Sequence, residues 1–339
     1  MTASLVIAPQ WIGDAVMTEP LLRVLSERGE TLTVAAMPWV APIYRAMSSV
    51  AEVIELPFPR GGLHLSARRA LAKQWQGRFE RAYVCPNSFK SALLPWLAGI
   101  PKRIGYQGEL RLVLLNQRMA NPSKHSRGSM VAHYLALAQA DTDTTLQPKL
   151  DLSLDVLKNS LLHFDLKLGA YAVFAPGAEF GPAKRWPAAY FADIAARTDL
   201  PVVLLGSAKE ASLCEDIAER INQERPKLAR SLAGQTDLSQ AMALIASAQA
   251  MLSNDSGLMH VAAAMGVPQL ALFGSSSPLH TPPLSDKAVV MWLKTEANYQ
   301  PPLDCAPCFE RVCPLGHMRC LNDLTPERVA LAWREVVSG

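Results

Sequence analysis

The sequence predicts an α/β protein made of two doubly wound, Rossmann-like domains, and three observations lead to that class. The 339 residues exceed the ~100 to 200 residues that one domain usually spans. Short apolar or β-branched runs alternate with longer segments of helical period, as in βαβ units around a parallel sheet. The alternation is interrupted once, by a polar and Pro-containing stretch, and then starts again.

The predicted strands of the first half are the runs SLVIAP, TLTVAAM, AEVIEL, RAYVCP and KRIGY, with a first helix from about Asp14. Those of the second half are AYAVFAPG, LPVVLLGS, RSLAG, QAMLSND and VPQLALFG. Amphipathic sequence between the runs predicts the helices. Ligands in such folds bind at the carboxyl ends of the strands, so every loop that leads from a strand into a helix is a candidate site.

The stretch DTDTTLQPKLDLSLDVLKNS is the best candidate linker, because its polar start interrupts the alternation. It divides the chain into domains at 1–150 and 151–324. The segment TPERVALAWREVVSG, 325–339, predicts a last helix, since it opens with a cap residue followed by Pro and Glu. This helix is a candidate to pack back against the first domain.

The DTD at 141–143 resembles the metal-binding D-x-D of some glycosyltransferases, but no hydrophobic strand precedes it, so we interpret it as a coincidence.

Composition and charge exclude several classes of protein. Half of the residues are hydrophobic and 19% are charged, which is the balance of a globular chain. A net charge of +3 without a dense basic run gives no support to nucleic-acid binding. The N-terminal segment has no basic leader before Asp14, and no apolar run reaches the roughly 20 residues of a membrane span. We therefore expect a protein of the cytoplasm.

The segment SNDSGLMHVAAAMG, 253–266, predicts the end of a strand, a tight turn and a helix. Free backbone N–H groups and the helix dipole would attract an anion, and Ser256 and Gly257 would let a diphosphate approach the backbone. His260 lies one turn further on the same side and could donate to a phosphate or sugar oxygen. In the structural alternative, Asp255 or Ser256 caps the helix and His260 packs beneath the next strand.

A second loop, AEFGPAKRWP, follows the strand AYAVFAPG. Gly177 and Gly181 leave backbone exposed, and Lys184 and Arg185 offer cations before a helix that starts near Pro187. A lysine in this position would stabilise the negative charge that develops on a leaving diphosphate. The alternative is a solvated Lys-Arg pair before a helix that begins with proline.

The segment APQWIGDAV places Gly13 and Asp14 where the first strand leads into a helix. A carboxylate there would point into a cleft between domains and could take a proton from an attacking hydroxyl. The alternative is an aspartate that caps the helix. Neither a G-x-G-x-x-G fingerprint nor a G-x-x-x-x-G-K-[ST] phosphate loop occurs, so the sequence gives no support to a dinucleotide oxidoreductase.

The segment PNSFKSALLPWLAGIPKRIGYQGELR, 86–111, mixes apolar residues with Trp96 and with cations that include Lys90, Arg103 and Arg111. This mixture suits a phosphorylated amphiphile and an anionic membrane interface. An ordinary helix with a solvated basic edge is the favoured alternative.

Four of the six cysteines, Cys305, Cys308, Cys313 and Cys320, crowd into CAPCFERVCPLGHMRC together with His317. In a cytosolic chain such a cluster indicates a metal or free thiols before disulfides. The first C-x-x-C fits a zinc knuckle, but six residues separate the second pair, so a structural zinc is the less favoured interpretation. Reduced thiols in a stiff, Pro-containing loop are favoured.

The segments APQWIGDAV, PNSFKSALLPWLAGIPKRIGY, PGAEFGPAKRWP and NDSGLMHVAAA together resemble the ADP-heptose:lipopolysaccharide heptosyltransferases, in the same order and over nearly the whole chain. The resemblance implies a GT-B architecture, in which two Rossmann-like domains face a central cleft. It implies that 151–324 binds ADP-heptose, and that 1–150 carries the base and binds a heptosylated Kdo-lipid A acceptor. It also implies an inverting transfer of L-glycero-D-manno-heptose to the first heptose of the inner core, without a metal or other cofactor, at the cytoplasmic side of the inner membrane.

By this resemblance, Asp14 is the general base and Lys184 holds the donor phosphates. Our own inference adds Lys90 and Arg103 as candidate contacts for the anionic acceptor. The other donor-binding positions that the resemblance implies are Gly13, Gly177, Ser207, Glu210 at the ribose, Thr236 near the adenine, Asp255, Ser256, Gly257 and His260.

Two other functions stay open at this point. A related GT-B glycosyltransferase with another donor or acceptor, for example one similar to heptosyltransferase I, or an epimerase of the same fold, would differ in substrate specificity. A non-catalytic sugar-nucleotide-binding module would bind without turnover, and the presence of both Asp14 and Lys184 argues against it.

Overall fold

The computed structural model describes residues 2–59, 61–122, 128–139 and 146–338. The chain forms two compact units, Met1–Asp151 and Leu152–Gly339. Within the described ranges, each unit holds one parallel six-stranded sheet together with helices. The predicted fold class, α/β with two doubly wound units, is therefore confirmed.

In the first unit, the strands are β1 (Thr2–Ile7), β2 (Glu30–Ala36), β3 (Val50–Glu55), β4 (Arg81–Val84), β5 (Lys102–Tyr106) and β6 (Gln117–Met119). The helices are α1 (Ile12–Met17), α2 (Glu19–Glu27), α3 (Ala41–Arg45), α4 (Leu65–Gln74), α5 (Phe89–Leu97) and α6 (Met130–Leu135). A short 3₁₀ helix, Ala136–Ala138, follows α6. The sheet has the order β3-β2-β1-β4-β5-β6, which is the Rossmann order.

In the second unit, the strands are β7 (Ala172–Ala175), β8 (Val202–Leu204), β9 (Ala229–Ser231), β10 (Ala250–Asn254), β11 (Gln269–Leu272) and β12 (Ala288–Met291). The α-helices are α7 (Leu154–His163), α8 (Ala188–Ala196), α9 (Ala211–Glu224), α10 (Leu238–Ala246), α11 (Gly257–Ala264), α12 (Arg319–Asn322) and α13 (Pro326–Ser338). Short 3₁₀ helices occur at Pro182–Lys184, Ala208–Glu210 and Leu293–Thr295. The order β12-β11-β10-β7-β8-β9 repeats that of the first sheet.

The ten predicted strand runs all form strands, and two strands were missed. These are β6 and β12, which lie at the edges of their sheets. The strand β6 is largely polar and gave no apolar signal, whereas β12 is an apolar run, AVVM, that the sequence analysis overlooked. The first helix begins at Ile12 rather than at Asp14, so Asp14 lies inside its first turn.

The core of the second unit is built around aromatic side chains. The Phe174 ring packs against Trp333, with centroids 5.5 Å apart, and against Phe191 at 6.0 Å. The buried indole N–H of Trp186 donates to the Leu324 carbonyl at 2.7 Å. Trp333 lies on the apolar face of α13, which contacts α8 and the strands β10, β11 and β12. This face of the last helix therefore packs inside the second unit, whereas the sequence offered the first domain as its partner.

Across the described ranges, no helix is both long enough and apolar enough to cross a bilayer. The polar start of the predicted linker, residues 141–145, lies outside those ranges. The two units divide between Asp151 and Leu152, further along the same segment.

Glu19 is a buried carboxyl group in the first turn of α2. Arg23 Nη2 lies 3.5 Å from Glu19 Oε2, and the Lys149 backbone N–H donates to that oxygen at 3.1 Å. Burial outweighs both contacts and raises the pKa of Glu19 from 4.5 to about 7. A carboxyl group with a raised pKa favours folding while both states are protonated, and this contribution is lost as the pH rises from 4.5 through about 7.

We predict that Glu19→Gln reduces the loss of stability between about pH 5 and about pH 8. The glutamine cannot ionise, whereas the glutamate ionises more readily in the unfolded chain; the pKa difference corresponds to roughly 3 kcal/mol at most. The measurement is the thermal midpoint at both pH values. Glu27→Gln, an exposed position on the same helix, is the matched control. Equal pH dependence in wild type and both variants would contradict the prediction.

Candidate functional site

The predicted donor-binding loops of the second unit follow four neighbouring strands, β10, β7, β8 and β9. These strands are parallel, so their carboxyl ends share one edge of the sheet. The strand order reverses between β10 and β7, which is where open α/β sheets bind ligands. The loops after these two strands carry Asp255 and Lys184, and the loops after β8 and β9 carry Glu210 and Thr236.

Lys184 and Asp255, from two separate loops, form one ion pair with Nζ 2.5 Å from Oδ2. The Asp255 side chain is 5% exposed and that of Lys184 is 17% exposed, so Lys184 is not the solvated cation of the structural alternative. Asn254 fixes this geometry, because its amide donates to the Pro176 carbonyl at 2.7 Å and its Oδ1 accepts from the Trp186 backbone N–H at 3.0 Å. Sequence reasoning missed Asn254, although a polar residue that ends an apolar strand is a usable signal.

Ser256 is the N-cap residue of α11, but its side chain makes no capping hydrogen bond, so the capping alternative is wrong for this residue. Its hydroxyl oxygen is buried and has no hydrogen-bond partner in the described part of the chain. The hydroxyls of Ser275 and Ser276, in the loop after the neighbouring strand β11, are also buried and unpaired there. Most buried polar groups are hydrogen-bonded, so the unpaired hydroxyl of Ser256 at a helix N-terminus indicates a site for an oxygen-rich ligand.

His260 lies on α11, four residues after Ser256, and is 5% exposed. Burial lowers the pKa of His260 to about 4; the Asp255 charge opposes this shift and the Lys184 charge adds to it. The ring is therefore neutral near pH 7 and offers one N–H donor and one acceptor nitrogen. His260 contributes hydrogen bonding to this site rather than a second positive charge.

Glu210 and Ser207 form a reciprocal cap, in which Glu210 Oε2 accepts from the Ser207 backbone N–H at 2.8 Å and from its hydroxyl at 2.9 Å. The S-x-x-E pattern of SAKE is the sequence signal for this motif, and sequence reasoning overlooked it. A Cβ at Gly177 would collide with the Glu210 carboxylate in its capping position, so a larger residue there would displace this carboxylate. Ribose binding by Glu210 and adenine contact near Thr236, which is partly buried before α10, stay predictions.

The cysteine-rich segment 305–320 packs on the loop that carries Lys184. The Arg311 carbonyl accepts from the Ala183 backbone N–H at 3.1 Å. The side chains of Arg311 and Lys184 both lie over the Phe180 ring, 5.1 Å and 5.3 Å from its centroid. The segment therefore forms a wall next to the ion pair, a position that the sequence did not indicate.

The four clustered cysteines are free thiols that line one cavity of about 20 Å³ together with His317; they are Cys305, Cys308, Cys313 and Cys320. Burial raises the pKa of Cys313, but hydrogen bonds from nearby backbone N–H groups outweigh it, so the pKa lies below its ordinary value. Burial raises the pKa of Cys320 to about 11. In the ranges that the structure describes, no group of three or more His, Cys, Asp or Glu side chains is arranged to hold a metal ion.

In the first unit, Asp14 lies in the first turn of α1, directly after β1. The N-cap residue of α1 is Trp11, so the alternative of a capping aspartate is wrong. The Tyr134 hydroxyl donates to Asp14 Oδ1 at 3.0 Å. Gly13 is buried in the same turn, and its contact with the donor stays a prediction. The position next to β1 places Asp14 beside the point where the order of the first sheet reverses.

A cavity of about 580 Å³ lies at the carboxyl edge of the first sheet. Its volume falls in the range of ~300 to 1,000 Å³ that is typical of small-molecule sites. Lys90, near the start of α5, lines this cavity, and its Nζ donates to the Gly61 carbonyl at 3.1 Å. The wall also contains apolar and aromatic side chains, among them Met37, Trp39, Leu56, Phe58, Leu63, Phe89 and Leu94.

Arg111 ties together two loops of the first unit. Its buried guanidinium donates to the Pro86 carbonyl at 2.7 Å, to Asn87 Oδ1 at 3.0 Å and to the Tyr106 carbonyl. These bonds join the loop before Lys90 to the chain after β5. The alternative offered for segment 86–111 counted Arg111 among the solvated cations of a basic helix edge. This was wrong for Arg111, because the residue is 1% exposed.

Arg103 lies near the start of β5, at the opposite end of that strand from the loop edge. Its guanidinium donates to the carbonyls of Leu114 at 2.7 Å and Ile100 at 2.6 Å. The structure therefore does not bring Arg103 together with Lys90, and a contact with the acceptor stays a prediction for both residues. The DTD at 141–143 lies outside the described residues.

Comparison with known proteins extends over the whole chain. The family model of glycosyltransferase family 9 (heptosyltransferase) matches residues 68–319. The chain is 41% identical to lipopolysaccharide heptosyltransferase 2 of Escherichia coli K12, over 96% of this chain and 95% of that one. It is 42% identical to the protein of the same name from Salmonella typhimurium, with the same two coverages of 96% and 95%. The solved structure of E. coli ADP-heptose lps heptosyltransferase II matches with a TM-score of 0.84 at 38% identity, and covers 100% of this chain and 99% of that chain.

These matches confirm the resemblance to the ADP-heptose:lipopolysaccharide heptosyltransferases that the sequence showed. They also confirm the predicted GT-B class, since the matching structures are heptosyltransferases of that architecture. The chain belongs to glycosyltransferase family 9, the heptosyltransferase family.

Proposed function

We propose that this chain is an inverting glycosyltransferase that moves L-glycero-D-manno-heptose from ADP-heptose to the first heptose of the lipopolysaccharide inner core. The observation that carries the proposal is the shielded pair of Lys184 and Asp255 beside the N-terminus of α11. It occurs in a chain that aligns over 96% of its length with two proteins named lipopolysaccharide heptosyltransferase 2.

The edge of the second unit suits the ADP-heptose donor. A departing ADP gains negative charge, and the Lys184 ammonium together with the free N–H groups of α11 supplies positive potential to stabilise it. Asp255 would repel a phosphate, so we assign it to sugar hydroxyls, which can donate to its carboxylate. Ser256 and the neutral His260 then hydrogen-bond phosphate or sugar oxygens.

Asp14 is the base in this proposal. The acceptor hydroxyl oxygen forms a bond to the anomeric carbon while the bond from that carbon to the ADP oxygen breaks, and ADP leaves with the electron pair. The hydroxyl proton passes to the Asp14 carboxylate. A single displacement of this kind inverts the anomeric configuration. It needs no divalent ion when Lys184 and the helix terminus neutralise the diphosphate, and no other cofactor takes part.

The acceptor proposal rests on the cavity of the first unit. Its aromatic and apolar wall suits the faces of sugar rings, and Lys90 supplies a cation for an anionic heptosylated Kdo-lipid A. Such an acceptor is held by its acyl chains in the cytoplasmic leaflet of the inner membrane, so the enzyme has to work at that surface.

An exposed apolar turn next to this cavity fits such a surface. Leu110, Leu112 and Val113, here called the apolar turn, are 88%, 62% and 74% exposed. The adjacent Glu109 lines the cavity, and the exposed cation Arg118 donates to the Leu112 carbonyl at 2.6 Å. Exposed apolar side chains beside a cation favour contact with an anionic bilayer, so we propose that the apolar turn contacts the leaflet that presents the acceptor.

Asp14→Asn is expected to lower kcat by about 100-fold or more, because the amide cannot accept the proton. The affinity for ADP should not change, since Asp14 serves the acceptor. The initial rate of heptose transfer measures the effect on kcat, and calorimetric titration with ADP measures the affinity for ADP. Asp155→Asn, an exposed position on α7, is the matched control. A variant that keeps more than about a tenth of wild-type turnover would contradict the base role.

Lys184→Met is expected to weaken ADP binding by about 10-fold or more, because a charge-assisted hydrogen bond to phosphate is lost. Calorimetric titration with ADP measures this directly. The control is Lys209→Met, which removes an exposed lysine from the neighbouring loop after β8. Equal ADP affinity in the two variants, with both still folded, would rule out Lys184 as a phosphate ligand.

Replacement of the three residues of the apolar turn by serine is expected to weaken binding to anionic vesicles by about 10-fold or more, because three apolar side chains no longer insert. The measurement is co-sedimentation with vesicles of phosphatidylglycerol and phosphatidylcholine. The matched control replaces Leu154, Leu162 and Leu168, which are 69%, 82% and 74% exposed, by serine in the second unit. An equal loss of vesicle binding in both triple variants, or no loss in either, would contradict the proposal that the apolar turn contacts the membrane.

A further inference from the structure

Tyr134 contacts the proposed base from a helix that lies 120 residues further along the chain. Its side chain is 4% exposed, and its hydroxyl lies 3.0 Å from Asp14 Oδ1. Sequence reasoning did not single out Tyr134, since nothing in MVAHYLAL marks one residue of the helix as polar and buried. The contact therefore emerges only from the way that α6 packs on α1.

The direction of this hydrogen bond follows from the protonation of the phenol. Burial raises the pKa of Tyr134 well above its ordinary value, and the negative charge of Asp14 raises it further. The phenol is therefore protonated near neutral pH, so it donates and the carboxylate accepts. A donor of this kind favours the charged form of a carboxyl group, which is the form that a base requires.

Two other described ionisable groups near Asp14 are neutral. Tyr44 approaches from α3 and Cys85 from the end of β4, and burial raises the pKa of both well above neutral pH. The Tyr44 hydroxyl lies 3.3 Å from Thr18 Oγ1. Of these three groups, Tyr134 is the one whose hydroxyl donates to the Asp14 carboxylate.

The position of Tyr134 is itself fixed by its helix. The Ser129 side chain caps α6 by accepting from the Ala132 backbone N–H at 3.2 Å. The Tyr106 hydroxyl donates to the His133 carbonyl at 2.7 Å, and the two rings stack with centroids 3.9 Å apart. The residue before Tyr134 is therefore anchored to β5, which leaves the phenol little freedom to move.

We propose that Tyr134 is a positioning residue that holds the Asp14 carboxylate in its charged, reactive orientation. The inference rests on the proposed role of Asp14 as the base. A small rotation of a base away from the attacking hydroxyl costs catalysis without loss of substrate binding, because orientation matters in the transition state more than in the bound state.

The test is Tyr134→Phe, which removes the hydroxyl and keeps the ring. We expect kcat to fall about 10-fold or more with the KM for ADP-heptose unchanged. We also expect the acidic limb of the pH profile of kcat/KM for the acceptor to move up by roughly one pH unit, because the charged form of the base loses a donor. A merely structural role would not move this limb.

Tyr171→Phe is the matched control, because it removes a hydroxyl that donates to a backbone carbonyl, that of Leu244 at 2.6 Å, from a buried tyrosine of the second unit. This variant should keep the acidic limb of the pH profile at its wild-type position and should keep nearly the wild-type kcat. An unshifted limb in Tyr134→Phe, or equal effects in the two variants, would overturn the positioning role. Asp14→Asn separates this result from failure of the proposed function: if that variant is inactive while Tyr134→Phe behaves as wild type, the base stands and the positioning role falls.

Discussion

The parallel strand order of the two sheets is the constraint on which both candidate sites depend. The order reverses between β1 and β4 and again between β7 and β10, and the loops diverge at those points to leave a crevice. Asp14 follows β1, Lys184 follows β7 and Asp255 follows β10. Topology alone thus sets each of these residues beside a crevice, and the local contacts then decide its chemistry.

The ion pair of Lys184 and Asp255 turns that position into a prepared electrostatic site. Loss of one partner from a buried pair costs about 3 to 5 kcal/mol, so each charge depends on the other. Asn254 holds the loop that carries Lys184 through hydrogen bonds at both of its ends, and segment 305–320 packs against its outer side. A cation fixed in this way stabilises developing charge without having to reorganise.

The sequence predicted what depends on local pattern, and it missed what depends on tertiary contact. Strands and the turns after them were found because apolar runs and glycine-containing loops are local signals. The partner of Lys184 lies 71 residues away and that of Asp14 lies 120 residues away, and no spacing rule reaches so far. The burial of Arg111 was invisible for another reason, because two of its partners are backbone carbonyls, which every residue possesses.

Whether the chain transfers heptose in a single inverting displacement at the anomeric carbon can be decided from one product. We would incubate the wild-type protein with ADP-heptose and a lipid A core acceptor that carries one heptose, in the presence of a chelator, and determine product mass and anomeric configuration. We expect the gain of one heptose with inverted configuration. Retained configuration, or no gain in mass while ADP still binds, would contradict the proposed mechanism.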